Sequence, residues 1–329
     1  MTALKAYRIF NEEGKIASRY VDMQLDELDA GDVVIKVAYS GVNFKDALAA
    51  TGKGKVIRRF PCTGGIDLSG TVTESTDARF KKGDAVIATS YDIGVAHDGG
   101  YAQYARIPAD WIVPLPKGLD LFEAMALGTA GFTAALAVER MEHDGLKPGN
   151  GPVIVTGATG GVGSIAIDIL AAAGYHVVAL TGKESESGYL KDLGAKEVML
   201  RSGLDLAKIK PLDIATWAGA VDNLGGDVLA WLASTMQIGA TLASIGLAAS
   251  HSLNTTVMPF ILRGVSLLGV DSVNAPMPLR EKVWKRLGSD LKPRQLTNIV
   301  TTVDFADLPG VFDKVMNARM RGRAAVKIA

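Results

Sequence analysis

Short runs of alternating polarity fill the first 120 residues: Ala6-Tyr7-Arg8-Ile9-Phe10, Asp32 to Val37, Gly70 to Thr73, Asp84 to Ala88, Tyr101 to Ala105 and Trp111 to Val113. Pro114 and Pro116 close the series. A period of two predicts half-buried strands, and many short strands in succession predict a small antiparallel barrel. From about residue 121 the pattern changes. Ala-rich stretches with helical spacing alternate with short apolar runs: Val153 to Val155, His176 to Leu180, Lys196 to Leu200, Gly219 to Asn223, Ala240 to Gly246 and Val265 to Val270. Strands alternating with helices predict a doubly wound parallel sheet. Ligands of such sheets lie beyond the carboxyl ends of the strands, which makes Thr181 to Lys183, Asn223, Gly246-Leu247 and Asp271-Ser272 candidates. After about Leu296 come a strand in Asn298 to Val303, a helix from Pro309 to Asn317 and a strand in Ala324 to Ile328. This tail is too short to fold alone and is expected to return to the first domain. The expected domains are therefore 1–121 with 296–329, and 122–295, the second boundary falling between 271 and 296.

The first apolar run of the second half carries chemistry. Val153-Ile154-Val155-Thr156 is followed by Gly157-Ala158-Thr159-Gly160-Gly161-Val162-Gly163 and then by the helical run from Ser164. Strand, glycine turn and helix in that order open a Rossmann βαβ unit. Glycine lets the backbone turn tightly, approach a pyrophosphate and seat the helix on its strand; the helix-start amides then face the phosphates. Ala158 replaces the first glycine of the usual fingerprint, with Gly160 and Gly163 at the other two places. The second strand ends in Thr181-Gly182-Lys183, where an NAD enzyme normally has an Asp or Glu for the ribose hydroxyls. A hydroxyl and an ammonium suit a 2′-phosphate, so the cofactor is read as NADP(H). The competing reading makes Lys183 a solvated loop lysine beside Glu184.

Composition narrows the classes. In 329 residues, 48% are hydrophobic and 21% charged, which fits a globular protein with room for two cores. Formal net charge is zero, so no electrostatic footprint for nucleic acid is present. The first ten residues lack the apolar core of a signal peptide, and charges interrupt the apolar stretches, so no membrane span and a cytoplasmic location are expected. The single cysteine, Cys62, excludes an internal disulfide and a multi-cysteine zinc site. His97, His143, His176 and His251 have no ligand spacing and read as surface or packing residues. Cys62 has no partner histidine near it in sequence, which argues against a nucleophile.

Gly41-Val42-Asn43-Phe44-Lys45-Asp46, Gly64-Gly65-Ile66-Asp67-Leu68-Ser69-Gly70, Gly128-Thr129-Ala130-Gly131-Phe132-Thr133-Ala134 and the glycine loop form one ordered set. With it, the chain resembles the medium-chain dehydrogenases/reductases, in their zinc-free, quinone-oxidoreductase-like branch. Asp46-Ala47-Leu48 with Thr51 to Lys55, Thr256 to Leu262 and Arg263 to Ser272 resemble, more narrowly, the NADPH-dependent acrylyl-CoA reductases. The resemblance implies an α/β chain with a GroES-like β-barrel catalytic domain and a Rossmann domain. Zinc-dependent relatives place Cys and His where this chain has Asn43, Phe44 and Lys45, and a His-Glu pair at Ile66-Asp67, so no catalytic metal is expected. Relatives often carry Arg where Lys183 stands; a lysine point charge implies a weaker grip on the phosphate.

The resemblance implies hydride transfer to the β-carbon of acrylyl-CoA and a proton to the α-carbon. Backbone amides and the Asn43 side chain are candidate donors to the developing oxyanion. Phe44 is expected near the nicotinamide or in the core. Lys45 either supplies charge or pairs with Asp46. Asp67 is expected to be structural more than a proton donor, and no residue declares itself as the general acid. Thr129 and Thr133 are expected near the nicotinamide ribose; read alone, that segment is a helix start with a capping threonine. Thr159 to Gly163 are expected at the pyrophosphate, Thr181 to Lys183 at the 2′-phosphate, and Leu247, Ile261 and Ser272 beside the nicotinamide. Lys53, Lys55, Arg58 and Arg59 form a basic loop that either receives the phosphates of CoA or is a solvated surface. Relatives pair through the sixth strand, so a homodimer is expected, also because an open apolar edge invites association. Two other readings stay open: a quinone or general enone reductase, and a non-catalytic NADPH-binding protein, as some lens crystallins of the superfamily are.

Overall fold

The computed structural model describes residues 2–328. Its described residues divide into two compact units, 2–129, 273–288 and 296–328, and 130–272 and 289–295. The expected boundaries stood at 121 and at a point between 271 and 296; in the structure the first exchange falls at 129 and the second at 273, inside that range, where 273–288 joins the first unit. That segment is held there by Arg280, fully buried, whose Nη1 donates to the Thr89 hydroxyl at 3.1 Å.

The first unit begins with β1 (Ala3–Glu12), β2 (Lys15–Gln24), β3 (Val33–Val42), α1 (Phe44–Thr51), β4 (Cys62–Thr63), β5 (Asp67–Ser75), β6 (Ala85–Thr89), β7 (Tyr104–Ile107) and β8 (Ile112–Pro114). β2, β1 and β4 form a small antiparallel sheet. β3 shows the expected alternation: Val33, Ile35 and Val37 are fully buried, and Val34 and Lys36 between them are not. β2 has no such rhythm and escapes a pattern reading. α2 (Leu121–His143) follows and breaks its helical geometry at Gly128, φ 50° and ψ −153°. By length and composition α2 is apolar enough to cross a membrane, which corrects the expectation that no stretch is. Most of that stretch is buried inside the protein, and this burial accounts for its composition.

The second unit contains β9 (Pro152–Thr156), α3 (Gly161–Ala172), β10 (His176–Thr181), α4 (Ser187–Asp192), β11 (Glu197–Leu200), β12 (Trp217–Asp222), α5 (Gly226–Thr235), β13 (Met236–Ser244), α6 (Met258–Arg263) and β14 (Ser266–Gly269). All strand pairs are parallel, in the order β11-β10-β9-β12-β13-β14. That order reverses between β9 and β12, the place where doubly wound sheets open a crevice for a ligand. Val153, Ile154 and Val155 of β9 are fully buried, as a central strand covered on both faces requires.

The chain then runs through α7 (Met277–Leu287), α8 (Leu296–Ile299), β15 (Val300–Asp304), α9 (Leu308–Met316) and β16 (Arg323–Lys327). β16 pairs with β3 and β15 with β16, so the tail completes the larger sheet of the first unit, β15-β16-β3-β5-β6-β8, with β7 also on β3. This return brings Arg323 beside Asn43 and Asp67.

Candidate functional site

In the first unit, the loop at the start of α1 is built on a buried ionic cluster. Asn43 is the N-cap of α1, and its backbone N donates to Asp46 Oδ2 at 2.8 Å, closing a capping box. The Asn43 amide is fully spent: Nδ2 donates to Asp46 Oδ2 at 3.1 Å and to Asp67 Oδ2 at 2.8 Å, and Oδ1 accepts from Arg323 Nη1 at 2.8 Å. This corrects the expectation that the side chain stands ready for an oxyanion; an amide has two donor hydrogens, and both are taken. Asp67 is fully buried. Besides Asn43 it accepts from Thr129 N at 2.9 Å and Thr129 Oγ1 at 2.5 Å, and it lies 3.6 Å from Arg323 Nη2. It therefore caps the helical turn that restarts after the Gly128 kink. Arg323 Nη1 also donates to the Val42 carbonyl at 2.9 Å.

Two glycines cover this ion pair. A Cβ on Gly41 would lie 2.7 Å from Arg323 Nη2 and 2.9 Å from Asp67 Oδ2, and one on Gly128 would collide with the same two groups. The cluster holds two carboxyls and one guanidinium. Burial, then the charge of Asp67, push the Asp46 carboxyl up to about 7, against three N–H donors that favour its charged form. The pair Lys45–Asp46, one of the expected alternatives, does not form: Asp46 is committed to Asn43 and, through Oδ1, to Ile66 N at 3.0 Å. Lys45 is half-buried with no ion pair among the described residues. Phe44 is 57% exposed, which rules out the core-packing alternative for it.

The basic loop divides. Arg58 pairs with Asp92, and Arg59 pairs with Asp29 and donates from Nε to the Ala96 carbonyl at 3.0 Å. Of the two expected alternatives, a phosphate-receiving loop or a solvated surface, Arg58 and Arg59 already have carboxylate partners, while Lys53 and Lys55 are exposed and make no ion pair among the described residues. Cys62 is buried, 3.5 Å from the His97 carbonyl, and burial pushes its thiol up to about 12. A thiol in that state is no nucleophile. Among the described residues no group of three or more His, Cys, Asp or Glu side chains could hold a metal ion.

In the second unit the glycine loop has the conformation a dinucleotide requires. Gly157 adopts φ +59°, a left-handed turn that few other residues tolerate. Gly160 caps α3, and a Cβ on Gly163 would collide with the Gly157 carbonyl oxygen. The helix can sit this close to its strand only because residue 163 is glycine. The turn after β12 is fastened to it by Asp222, fully buried, which accepts from Thr156 Oγ1 at 2.7 Å and Gly225 N at 2.8 Å. Asn223 Nδ2 donates to the Thr156 carbonyl at 2.8 Å. The amides of Gly161, Val162 and Gly163 begin α3 and have no partner within the helix, so an anion can use them. Thr159 is buried at the base of the loop.

Thr181 is buried, and its Oγ1 accepts from Lys183 N at 3.0 Å. It shapes the turn that carries Gly182 and Lys183. Leu247 and Ile261 are 67% and 70% exposed, unusual for large apolar side chains and in keeping with a ligand or partner surface. Ser272 is half-buried and Thr133 buried. The buried Asp67–Arg323 cluster is what sequence reasoning missed. Its only sequence signal is the polar Asp67 inside an apolar strand; Arg323 carries none.

Residues 29–117 match the alcohol dehydrogenase GroES-like domain and residues 161–288 the zinc-binding dehydrogenase domain. YhfP of Bacillus subtilis, which bears a quinone oxidoreductase name, is 51% identical over 92% of each chain. The crystal structure of that protein with NAD bound superposes with a TM-score of 0.97 at 48% identity, covering 99% of this chain and 100% of the other. The acrylyl-CoA reductase AcuI of Ruegeria pomeroyi is 45% identical over 96% of each chain. The yhdH oxidoreductase of Salmonella enterica, solved with NADP, has a TM-score of 0.96 at 45% identity, over 99% of this chain and 100% of that one. With these full-length similarities and the two matched domains, the chain belongs to the medium-chain dehydrogenase/reductase superfamily, among relatives of the AcuI and YhfP type.

Proposed function

We propose that the protein is an NADPH-dependent oxidoreductase that reduces the carbon–carbon double bond of acrylyl-CoA to propionyl-CoA. The observation that carries the substrate is the 45% identity to AcuI across 96% of both chains. The residues present fit the cofactor: the left-handed Gly157 turn, the close seating of α3 that Gly163 permits and the open amides at the start of α3 suit a pyrophosphate. The 2′-phosphate is met at Thr181-Gly182-Lys183, where no carboxylate ends β10, and the solved Salmonella relative holds NADP.

When bound, NADPH supplies the hydride that the substrate's β-carbon takes up. Phe44 offers an exposed ring to the cofactor, and the Asp46 capping box and the Asp67–Arg323 pair fix the loop that carries it. Lys45, with no partner of its own, places a positive charge where the thioester oxygen gains negative charge. Asn43 positions this loop and donates nothing to substrate. Thr129 and Thr133 shape the helix start that faces the nicotinamide ribose, and Leu247, Ile261 and Ser272 line the nicotinamide side. Lys53 and Lys55 receive the CoA phosphates. The α-carbon proton comes from water.

A second reading, reduction of quinones or simple enones, is favoured by the name of YhfP at 51% identity. Following NADPH absorbance with acrylyl-CoA, crotonyl-CoA, free acrylate and a quinone, with NADH in parallel, separates the two. The proposal expects fast loss with NADPH and acrylyl-CoA; an inert acrylyl-CoA beside a fast quinone overturns it. β14 lies at the open edge of its sheet with Leu267 partly exposed, and a homodimer pairs through that edge. A sedimentation mass of one chain would exclude the dimer.

A further inference from the structure

β6 runs into a strained turn. Ser90 and Tyr91, the two residues that follow it, have φ 68° and 50°, a left-handed backbone that residues with a Cβ disfavour. Two such residues in succession persist only where their surroundings hold them. Here Ser90 N donates to the Ile66 carbonyl at 2.9 Å. The Tyr91 ring stacks on Trp111, with centroids 5.6 Å apart, and Arg280 Cζ lies 4.5 Å from the centroid of the same ring. The braced turn delivers one hydroxyl. Ser90 is buried, and its Oγ lies 3.3 Å from Thr129 Oγ1. The direction of that contact follows from Asp67. The Thr129 hydroxyl has a single hydrogen and donates it to the Asp67 carboxylate at 2.5 Å, so Ser90 is the donor to Thr129 Oγ1.

We infer that Ser90 is a positioning residue for the reduction: it holds the Thr129 hydroxyl in the orientation that serves Asp67, and so fixes the helix start after the Gly128 kink. This role rests on the functional reading above, in which that helix start faces the nicotinamide ribose. A glycine at residue 90 would follow the same backbone path without strain. Serine is the costlier residue there, and what it adds is the hydroxyl. Strain of this kind gathers where a group must be held in one place. With Ser90 as donor and Asp67 as acceptor, Thr129 Oγ1 is bonded through both its hydrogen and a lone pair, and turning the side chain breaks two contacts at once. Ser90 acts through Thr129 and needs no contact of its own with cofactor or substrate.

The test separates the strain from the hydroxyl, using the full-length protein as Ser90→Gly and Ser90→Ala. Both variants lack the hydroxyl, but only alanine keeps a Cβ in the left-handed region. Ser90→Gly should therefore melt about 2–4 °C above Ser90→Ala. Both should nonetheless lose kcat with NADPH and acrylyl-CoA to the same extent, about threefold to tenfold, the value of one neutral hydrogen bond. NADPH affinity and KM for acrylyl-CoA should stay within about twofold, because the contact serves the reacting arrangement and not binding. In a Thr129→Val background, which removes the acceptor, either change at Ser90 should alter kcat by less than about twofold. A kcat that follows melting temperature across the series would reduce Ser90 to a fold residue and overturn the assignment. So would an undiminished kcat in both single variants, or an equal loss with and without the Thr129 hydroxyl. If the wild type leaves acrylyl-CoA untouched but reduces a quinone, the substrate reading fails, and the same series with that quinone decides the role of Ser90. A wild type inert with every acceptor removes the reaction and the role together.

Discussion

The two units solve the same problem, holding a functional loop still, by opposite means. In the second unit backbone does the work. Gly157 turns left-handed, Gly163 lets α3 touch the Gly157 carbonyl, and the side chains that matter, Thr156 and Asp222, serve only to lock the turn from behind. In the first unit side chains do it. Asn43, Asp46, Asp67, Thr129 and Arg323 bond to one another beneath the exposed Phe44 and the half-buried Lys45, while Arg323 Nη2 lies 3.6 Å from Asp67 without a hydrogen bond. A backbone device tolerates no added atom. A side-chain device tolerates no missing one, because each removal strands a buried charge.

That contrast can be broken first at Asp67. Asp67→Ala leaves Arg323 buried without its carboxylate and should cost about 3–5 kcal/mol in urea unfolding. Isosteric Asp67→Asn removes the charge but keeps an acceptor, and should fall between that variant and the wild type. A cost below about 1 kcal/mol for the alanine variant would show that the cluster holds little. In the second unit the corresponding change is an addition. Gly163→Ala forces a methyl group into the Gly157 carbonyl and should cost roughly 1–3 kcal/mol, with loss of NADPH binding in the folded fraction. Normal NADPH affinity in that variant would contradict the role given to the close helix–strand contact.

A pH series sharpens the comparison further. Burial and Asp67 raise the Asp46 carboxyl in the folded protein to about 7, above its ordinary value of 3.8. The folded state then holds a proton that the unfolded chain has released. This contribution is complete below the unfolded value and is lost as pH rises through about 7. Unfolding free energy should therefore decline between about pH 4 and pH 7, the range of those two values, and Asp46→Asn should flatten the decline at a lower baseline. An identical slope in wild type and variant would remove Asp46 from the account.

Smaller effects belong to the surface. Exchanging Lys53 and Lys55 together for Gln should raise KM for acrylyl-CoA by about two- to fivefold at low ionic strength and less at high salt, since exposed charges are screened. Exchanging Arg58, already paired with Asp92, should change it less. Cys62 should not react with a disulfide reagent at pH 8 in the native protein and should give its single thiol on unfolding. Prompt labelling of the folded chain would contradict its burial.

The contrast also explains what could be read from the chain itself. The parallel sheet, its glycine loop and the missing acid after β10 are local: residues a few positions apart carry them, and periodicity and glycine spacing expose them. The Arg323 site is not local. It forms because β16 returns to β3 some 280 positions later, and nothing about an arginine near the end of a chain announces a partner at Asn43. Asn43 looked like a donor for the same reason; its amide is spent on partners that only the fold supplies. Arg58 and Arg59 looked uncommitted until Asp92 and Asp29 met them in space. β2 was invisible because neither of its faces is clearly buried. α2 hid the opposite fact, a helix apolar enough for a bilayer whose surroundings are protein.

The most direct test of the central claim uses NADPH carrying deuterium at both C4 positions, with acrylyl-CoA as acceptor and mass and NMR analysis of the product. Conjugate hydride transfer predicts propionyl-CoA with one deuterium, at C3 of the propionyl group. Unlabelled product, label at C2, or rapid NADPH oxidation seen only with a quinone would contradict it.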